Sequence, residues 1–161
     1  MRFAAVAALA AALGTAPVSA FTVDDADITV TTYQVAGNTL AEIERSMAER
    51  GPNGFWAYTT WNVNWTGGCA LTVTAEIIMP ELGPDTNLNA SDVAEFARMT
   101  EALYAHEMLH VENGVAAADE VESQGCPADT SDIFATYNQA DIDLDAETDH
   151  GFTQGVYLDA E

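Results

Sequence analysis

The sequence predicts an α+β fold in which a small antiparallel sheet, an N-terminal strand plus a hairpin, packs against helices. Three observations carry this. Residues 28–35 and 55–79 alternate apolar and polar with period two, whereas residues 91–110 recur at helical spacing. The order strand, helix, hairpin, helix, helix lacks the strict strand–helix alternation of a parallel sheet. A chain of 161 residues, 48% of them hydrophobic, builds one core and hardly two.

Residues 1–20 stand apart from the fold. Arg2, an Ala/Val/Leu run from Phe3 to about Leu13, and the small residues Val18-Ser19-Ala20 have the build of a cleavable export signal. The run is too short and alanine-rich for a good membrane span. Cleavage is expected after Ala20, leaving residues 21–161 as a single periplasmic or secreted domain with no membrane association.

Ile28 to Val35 reads as a strand, broken by Gly37-Asn38. Thr39-Leu40-Ala41-Glu42 reads as a capping box opening a helix to about Glu49, with Leu40, Ile43 and Met47 as its buried stripe. Gly51-Pro52 stops it. From Phe55 to Trp65, Ala57, Thr59, Trp61, Val63 and Trp65 face one way; Gly67-Gly68 turns the chain, and Cys69 to Met79 returns as the second arm of a hairpin. Pro80 to Ala90 is a polar loop. A helix from Ser91 carries Phe96, Met99, Leu103, His106 and His110, and is expected to end or bend near Asn113-Gly114, with continuation as helix over Val115 to Gln124 as the alternative. A last helix spans Ser131 to about Asp145, and the glycine-bearing tail reads as loop.

Charge excludes two classes of partner. The chain holds 26 Asp and Glu against 4 Lys and Arg, a net charge of −22. Nucleic acid and anionic lipid are bound by neutralising phosphate with Lys and Arg, so neither is expected as a partner. The acidic surface suits solubility, and its field favours a cationic substrate. The two cysteines, Cys69 and Cys126, are expected to form one disulfide in an exported chain. Zinc ligation by either is the alternative, although neither has a CxxC partner.

His106-Glu107-Met108-Leu109-His110 carries the chemistry. On a helix, positions i and i+4 share one face, so two imidazoles can grip one Zn²⁺ while Glu107 addresses a water beside it. This zincin-like arrangement on a core helix implies hydrolysis of a peptide or protein substrate, with Glu107 as general base. Zinc needs a third protein ligand. The position six residues after His110 is Ala116 rather than histidine. Asp119, Glu120 and Glu122 are candidates, but the only other histidine, His150, is the expected ligand, with Asp149 as a supporting carboxylate. Tyr104, Tyr137 and Tyr157 are candidate oxyanion donors. Asp141-x-Asp143-x-Asp145 fails as a calcium loop, because its sixth and twelfth positions are Ala146 and Phe152, and reads as a solvated helix end.

Four blocks resemble the DUF922 family of bacterial exported proteins: Tyr33-x-Val35-x-Gly37-x-Thr39-x-x-Glu42 with Ser46-Met47 and Gly51-Pro52; Ala57-x-Thr59-x-Trp61-x-Val63-x-Trp65; His106-Glu107-x-x-His110; and Thr148-x-His150-Gly151-x-x-Gln154-Gly155. The resemblance covers nearly all of residues 21–161. It implies a periplasmic or secreted zinc-dependent protease with His150 inside a family motif and the two cysteines paired. One departure is that Leu144-Asp145 stands where the family tends to have Tyr-Asp, so a tyrosine acting there is missing. Two other function classes fit the residues: a non-catalytic zinc-stabilised binding module, and a metal-free acidic interaction domain using the hairpin tryptophans Trp56, Trp61 and Trp65. Trp61 and Trp65 share a face with Val63, which favours core packing for both.

Overall fold

Three strands, β1 (Asp27–Val35), β2 (Tyr58–Thr66) and β3 (Ala70–Leu82), form one sheet in the order β1-β3-β2. The computed structural model describes residues 21–159, so the export signal expected at residues 1–20 lies outside the described residues. β2 and β3 make the expected antiparallel hairpin, Tyr58 opposite Ile78 and Trp65 opposite Leu71. β1 differs from expectation: it runs parallel to β3, from Asp27 beside Thr74 to Val35 beside Leu82. The sheet is therefore mixed rather than antiparallel throughout. A hairpin fixes β2 and β3 in opposite directions, so β1 can be antiparallel to only one of them. β3 takes the centre because Val73, Ala75, Ile77 and Met79 are all buried along it, and a central strand has no free edge. Helix α1 (Leu40–Arg50) and β2 together supply the long crossover that a parallel pair needs.

Helix α1 begins at the predicted cap, where Thr39 Oγ1 accepts from the Glu42 amide at 3.3 Å. The Glu42 carboxylate in turn accepts from the Asn38 amide at 2.7 Å, one residue earlier than an ideal capping box. Leu40, Ile43 and Met47 are buried, as their spacing predicts.

Helix α2 (Ala90–Ser123) is longer than the sequence suggests, running without interruption through Asn113-Gly114. Gly114 is no terminator. A Cβ there would sit 2.6 Å from Trp61 Cγ and 2.9 Å from its Cβ, so the glycine admits the Trp61 ring against the helix. Phe96, Met99 and Leu103 continue into Val111, Val115, Ala118 and Val121 as one buried stripe packed on the sheet. Helix α3 (Ser131–Thr148) packs on α2 and ends three residues later than expected. After it, the tail turns sharply through a short 3₁₀ segment, Phe152–Gln154. Cys69 and Cys126 form the disulfide, tying the hairpin turn to the α2–α3 connection. By the chain-entropy model such a closure contributes about 4 kcal/mol. No described helix is long and apolar enough to cross a membrane.

Candidate metal centre

The periodicity of α2 delivers the two histidines to one place. His106 and His110 lie one turn apart on its buried face, 3% and 9% exposed, with their rings edge-on at 5.1 Å. What they meet comes from α3. Asp141 and Asp145 are spaced by the same i, i+4 interval, so both point from one face of α3 toward α2.

Each imidazole is held by its Nδ1. That of His106 donates to Gln154 Oε1 at 2.8 Å, and that of His110 donates to Asp141 Oδ1 at 2.9 Å. With an acceptor on each Nδ1, a neutral ring keeps its proton there and turns the Nε2 lone pair inward. Both lone pairs converge on a single oxygen: Asp145 Oδ1 lies 3.1 Å from His106 Nε2 and 3.3 Å from His110 Nε2. With both rings neutral these are three acceptors facing one another; a proton on an imidazole turns one of them into a donor to Asp145. Either that proton or a shared cation holds the three together. The two nitrogen–oxygen separations also suit zinc, since bonds of about 2.0–2.1 Å in a tetrahedron place neighbouring ligand atoms ~3.3 Å apart. Among the described residues, His106, His110 and Asp145 are the group whose ligand atoms lie within 4.8 Å of one another.

Supporting contacts fix the second carboxylate. Asp141 accepts from Asn113 Nδ2 at 2.7 Å and, on its other oxygen, from Trp61 Nε1 at 2.8 Å. Glu107 is buried beside the cluster, with Oε2 accepting from Thr59 Oγ1 of β2 at 2.7 Å. Burial pushes the Glu107 carboxyl above its ordinary range; the Thr59 hydroxyl and the two imidazoles pull the other way without cancelling it. For His110, burial lowers the pKa, but the bond and charge of Asp141, with Glu107 and Asp145 nearby, leave it raised overall. A bound cation would reverse this preference for protons.

The tail is shaped to bring Gln154 to His106. Asp149, His150 and Gly151 are three successive left-handed residues at φ 51°, 51° and 83°. Non-glycine residues adopt this only where the surroundings impose it. Here the His150 amide bonds Asp145 O at 2.8 Å and the Gly151 amide bonds Thr148 Oγ1 at 3.0 Å. Arg98 of α2 then clamps the chain beyond, donating to Gly155 O at 3.0 Å and Tyr157 O at 2.7 Å.

His106, Glu107 and His110 thus stand together as the sequence predicts. His150 stands beside the triangle: it is 56% exposed, with Nδ1 3.5 Å from the second oxygen of Asp145 and its ring 5.2 Å from that of Phe55. Asp149 and Tyr157 line the same cleft of about 1000 Å³, whereas Tyr104 and Tyr137 are not among its lining residues. Sequence reasoning passed over Asp141, Asp145, Gln154 and Thr59. The legible signal was the matched i, i+4 spacing of two carboxylates on α3 and two histidines on α2. Asp141 and Asp145 belong to the site, and only Asp143 of that run fits a solvated helix end.

A family model described as a bacterial protein of unknown function (DUF922) matches residues 30–151. The chain belongs to the DUF922 family. No curated protein and no solved structure matches it. In this DUF922 chain the matched stretch runs from β1 to Gly151 and so contains His106, Glu107, His110, Asp141, Asp145 and His150, while Gln154 falls just beyond it.

Proposed function

We propose that this protein is an exported zinc metallopeptidase, with zinc held by His106, His110 and Asp145 and with Glu107 as general base. One observation carries the reading: two imidazole nitrogens and a carboxylate oxygen lie within 4.8 Å of one another, with nitrogen–oxygen separations of 3.1 and 3.3 Å, beside a buried glutamate. The donor set, two nitrogens and one oxygen, leaves a fourth position open, as a catalytic zinc requires. Bound there, zinc supplies a water that loses its proton near neutral pH and polarises a carbonyl.

The chain's own residues do the rest. Thr59 occupies Oε2 of Glu107, which leaves Oε1 to accept the proton of an attacking water and return it to the leaving nitrogen. Gln154 and Asp141 hold the imidazoles in the tautomer that keeps both Nε2 atoms available. Tyr157 and Tyr58 line the cleft within the group of residues around the cluster and are the hydroxyls suited to a developing oxyanion. The disulfide supports an oxidising, exported setting.

The test is hydrolysis of an unfolded, fluorescently quenched protein by zinc-loaded protein and by Glu107→Gln. Wild type should cut the substrate, lose activity on chelation and recover it with zinc. Glu107→Gln should keep its zinc and lose about 10²–10⁴-fold in rate. Wild-type activity matched by Glu107→Gln would exclude this mechanism. Zinc-loaded wild type inert on unfolded protein would leave a zinc-stabilised binding module.

A further inference from the structure

We propose that the cleft takes an extended peptide carrying a large apolar side chain beside basic residues. This deepens the peptidase reading and rests on it for the fate of the peptide, though not for its binding.

The apolar half of the argument comes from where exposed side chains collect. Among the described residues, 8 large hydrophobic side chains are exposed. Five of them, Phe55, Tyr58, Ile142, Phe152 and Tyr157, line the single cleft that holds the metal cluster. They come from three separate parts of the chain: the entry to β2, helix α3 and the tail. Ile142 is 60% exposed and Phe152 54%, so they are not core residues that happen to reach the surface. The aromatics also stand in pairs, with Phe55 against Tyr58 at 6.4 Å and Phe152 against Tyr157 at 5.4 Å. An exposed apolar cluster around a concave, polar-floored site is the arrangement of a ligand-binding cleft.

Charge supplies the second half. Glu44, Glu107, Asp141, Asp145 and Asp149 line the same cleft, and no Lys or Arg does. One divalent ion neutralises two of these charges at most. The net charge of −22 extends the same sign over the whole surface. A peptide with acidic residues would be repelled, and one with Arg or Lys near its apolar side chain would be drawn in and retained.

Binding is separated from cutting by working with zinc-loaded Glu107→Gln. Four decapeptides are titrated by fluorescence anisotropy, with Phe or Ala at the centre and Arg or Glu in the flanks. The Phe/Arg peptide should bind tightest. Replacing Phe by Ala should weaken it about tenfold or more, and replacing Arg by Glu should do likewise. Raising salt from low to about 0.5 M should erase most of the Arg preference and little of the Phe preference. Adding the exposed changes Phe55→Ser and Phe152→Ser should remove the Phe preference while zinc stays at the wild-type level. Equal binding of all four peptides, no binding of any, or a Phe preference that survives the double change would each overturn the proposal. If the Phe/Arg peptide binds in this order but zinc-loaded wild type does not cut it, the assignment of the cleft stands and the peptidase reading falls.

Discussion

The two halves of the candidate metal centre are built by different physics. On α2, His106, Glu107 and His110 owe their positions to helical periodicity alone: any well-packed helix with this spacing puts both imidazoles on one face. On the other side, Asp145, Asp141 and Gln154 lie 28–48 residues away from their partners on α2 and depend on how α3 docks and how the tail turns. The first half is robust because its geometry is local. The second is adjustable, since a small shift of α3 or the tail changes the third ligand and the imidazole orientations while leaving the histidines in place. In the proposed site, metal binding would be coupled to the fold through α3 and the tail more than through α2.

The contrast can be broken first at Gly151. Its φ of 83° favours glycine, and a Cβ there would lie 2.6 Å from Val156 Cγ2 and 3.1 Å from His106 Cγ. Gly151→Ala should lower stability by about 2–4 kcal/mol, from left-handed strain and overpacking together, and should weaken zinc binding with it. Chemical denaturation with and without zinc measures both. A change that leaves the denaturation midpoint untouched would show that the turn does not position the site.

A milder break separates the two supports. Asp141→Ala removes the acceptor for His110, Asn113 and Trp61, whereas Gln154→Ala removes only the acceptor for His106. Loss of such supports typically lowers metal affinity 10–100-fold. Competition with a chelator should place Asp141→Ala near the upper end of that range and Gln154→Ala near the lower. Equal losses would mean that Trp61 and Asn113 add nothing to the hold on His110.

The smallest effect concerns the tail clamp. The hydrogen bond from Arg98, helped by the Asp159 amide, holds the Glu95 carboxyl down at about 2. A carboxylate depressed in the folded protein stabilises above its unfolded pKa, here near 4.5, and loses that contribution as pH falls toward 2. Amide signals of Gly155, Tyr157 and Asp159 should therefore shift as the tail loosens between pH 4.5 and 2. In Glu95→Gln the same signals should already be altered at neutral pH and should change little on acidification. Identical titrations in the two proteins would remove Glu95 from the clamp.

Legibility in the sequence followed the same local–remote division. The strands, the cap at Thr39 and the ligand face of α2 were readable because period two and i, i+4 spacing are properties of neighbouring residues. The parallel placement of β1 was not, because pairing partners are chosen by burial of β3 in the assembled sheet. Gly114 misled for a related reason: a glycine that breaks a helix and a glycine that admits a tryptophan look alike until Trp61 is seen against it. Asp145 was hidden inside an acidic run in an acidic chain, where composition offered solvation as a sufficient explanation. His150, rarer and inside a glycine-rich block, is the ligand that the sequence favours; its exposed ring places Nδ1 3.5 Å from the second oxygen of Asp145.

Zinc per mole in purified protein, measured side by side for wild type, Asp145→Ala and His150→Ala, decides whether α3 supplies the third ligand. One zinc is expected in wild type, little or none in Asp145→Ala, and one in His150→Ala. Zinc kept by Asp145→Ala and lost by His150→Ala would contradict this, moving the third ligand from α3 to the tail.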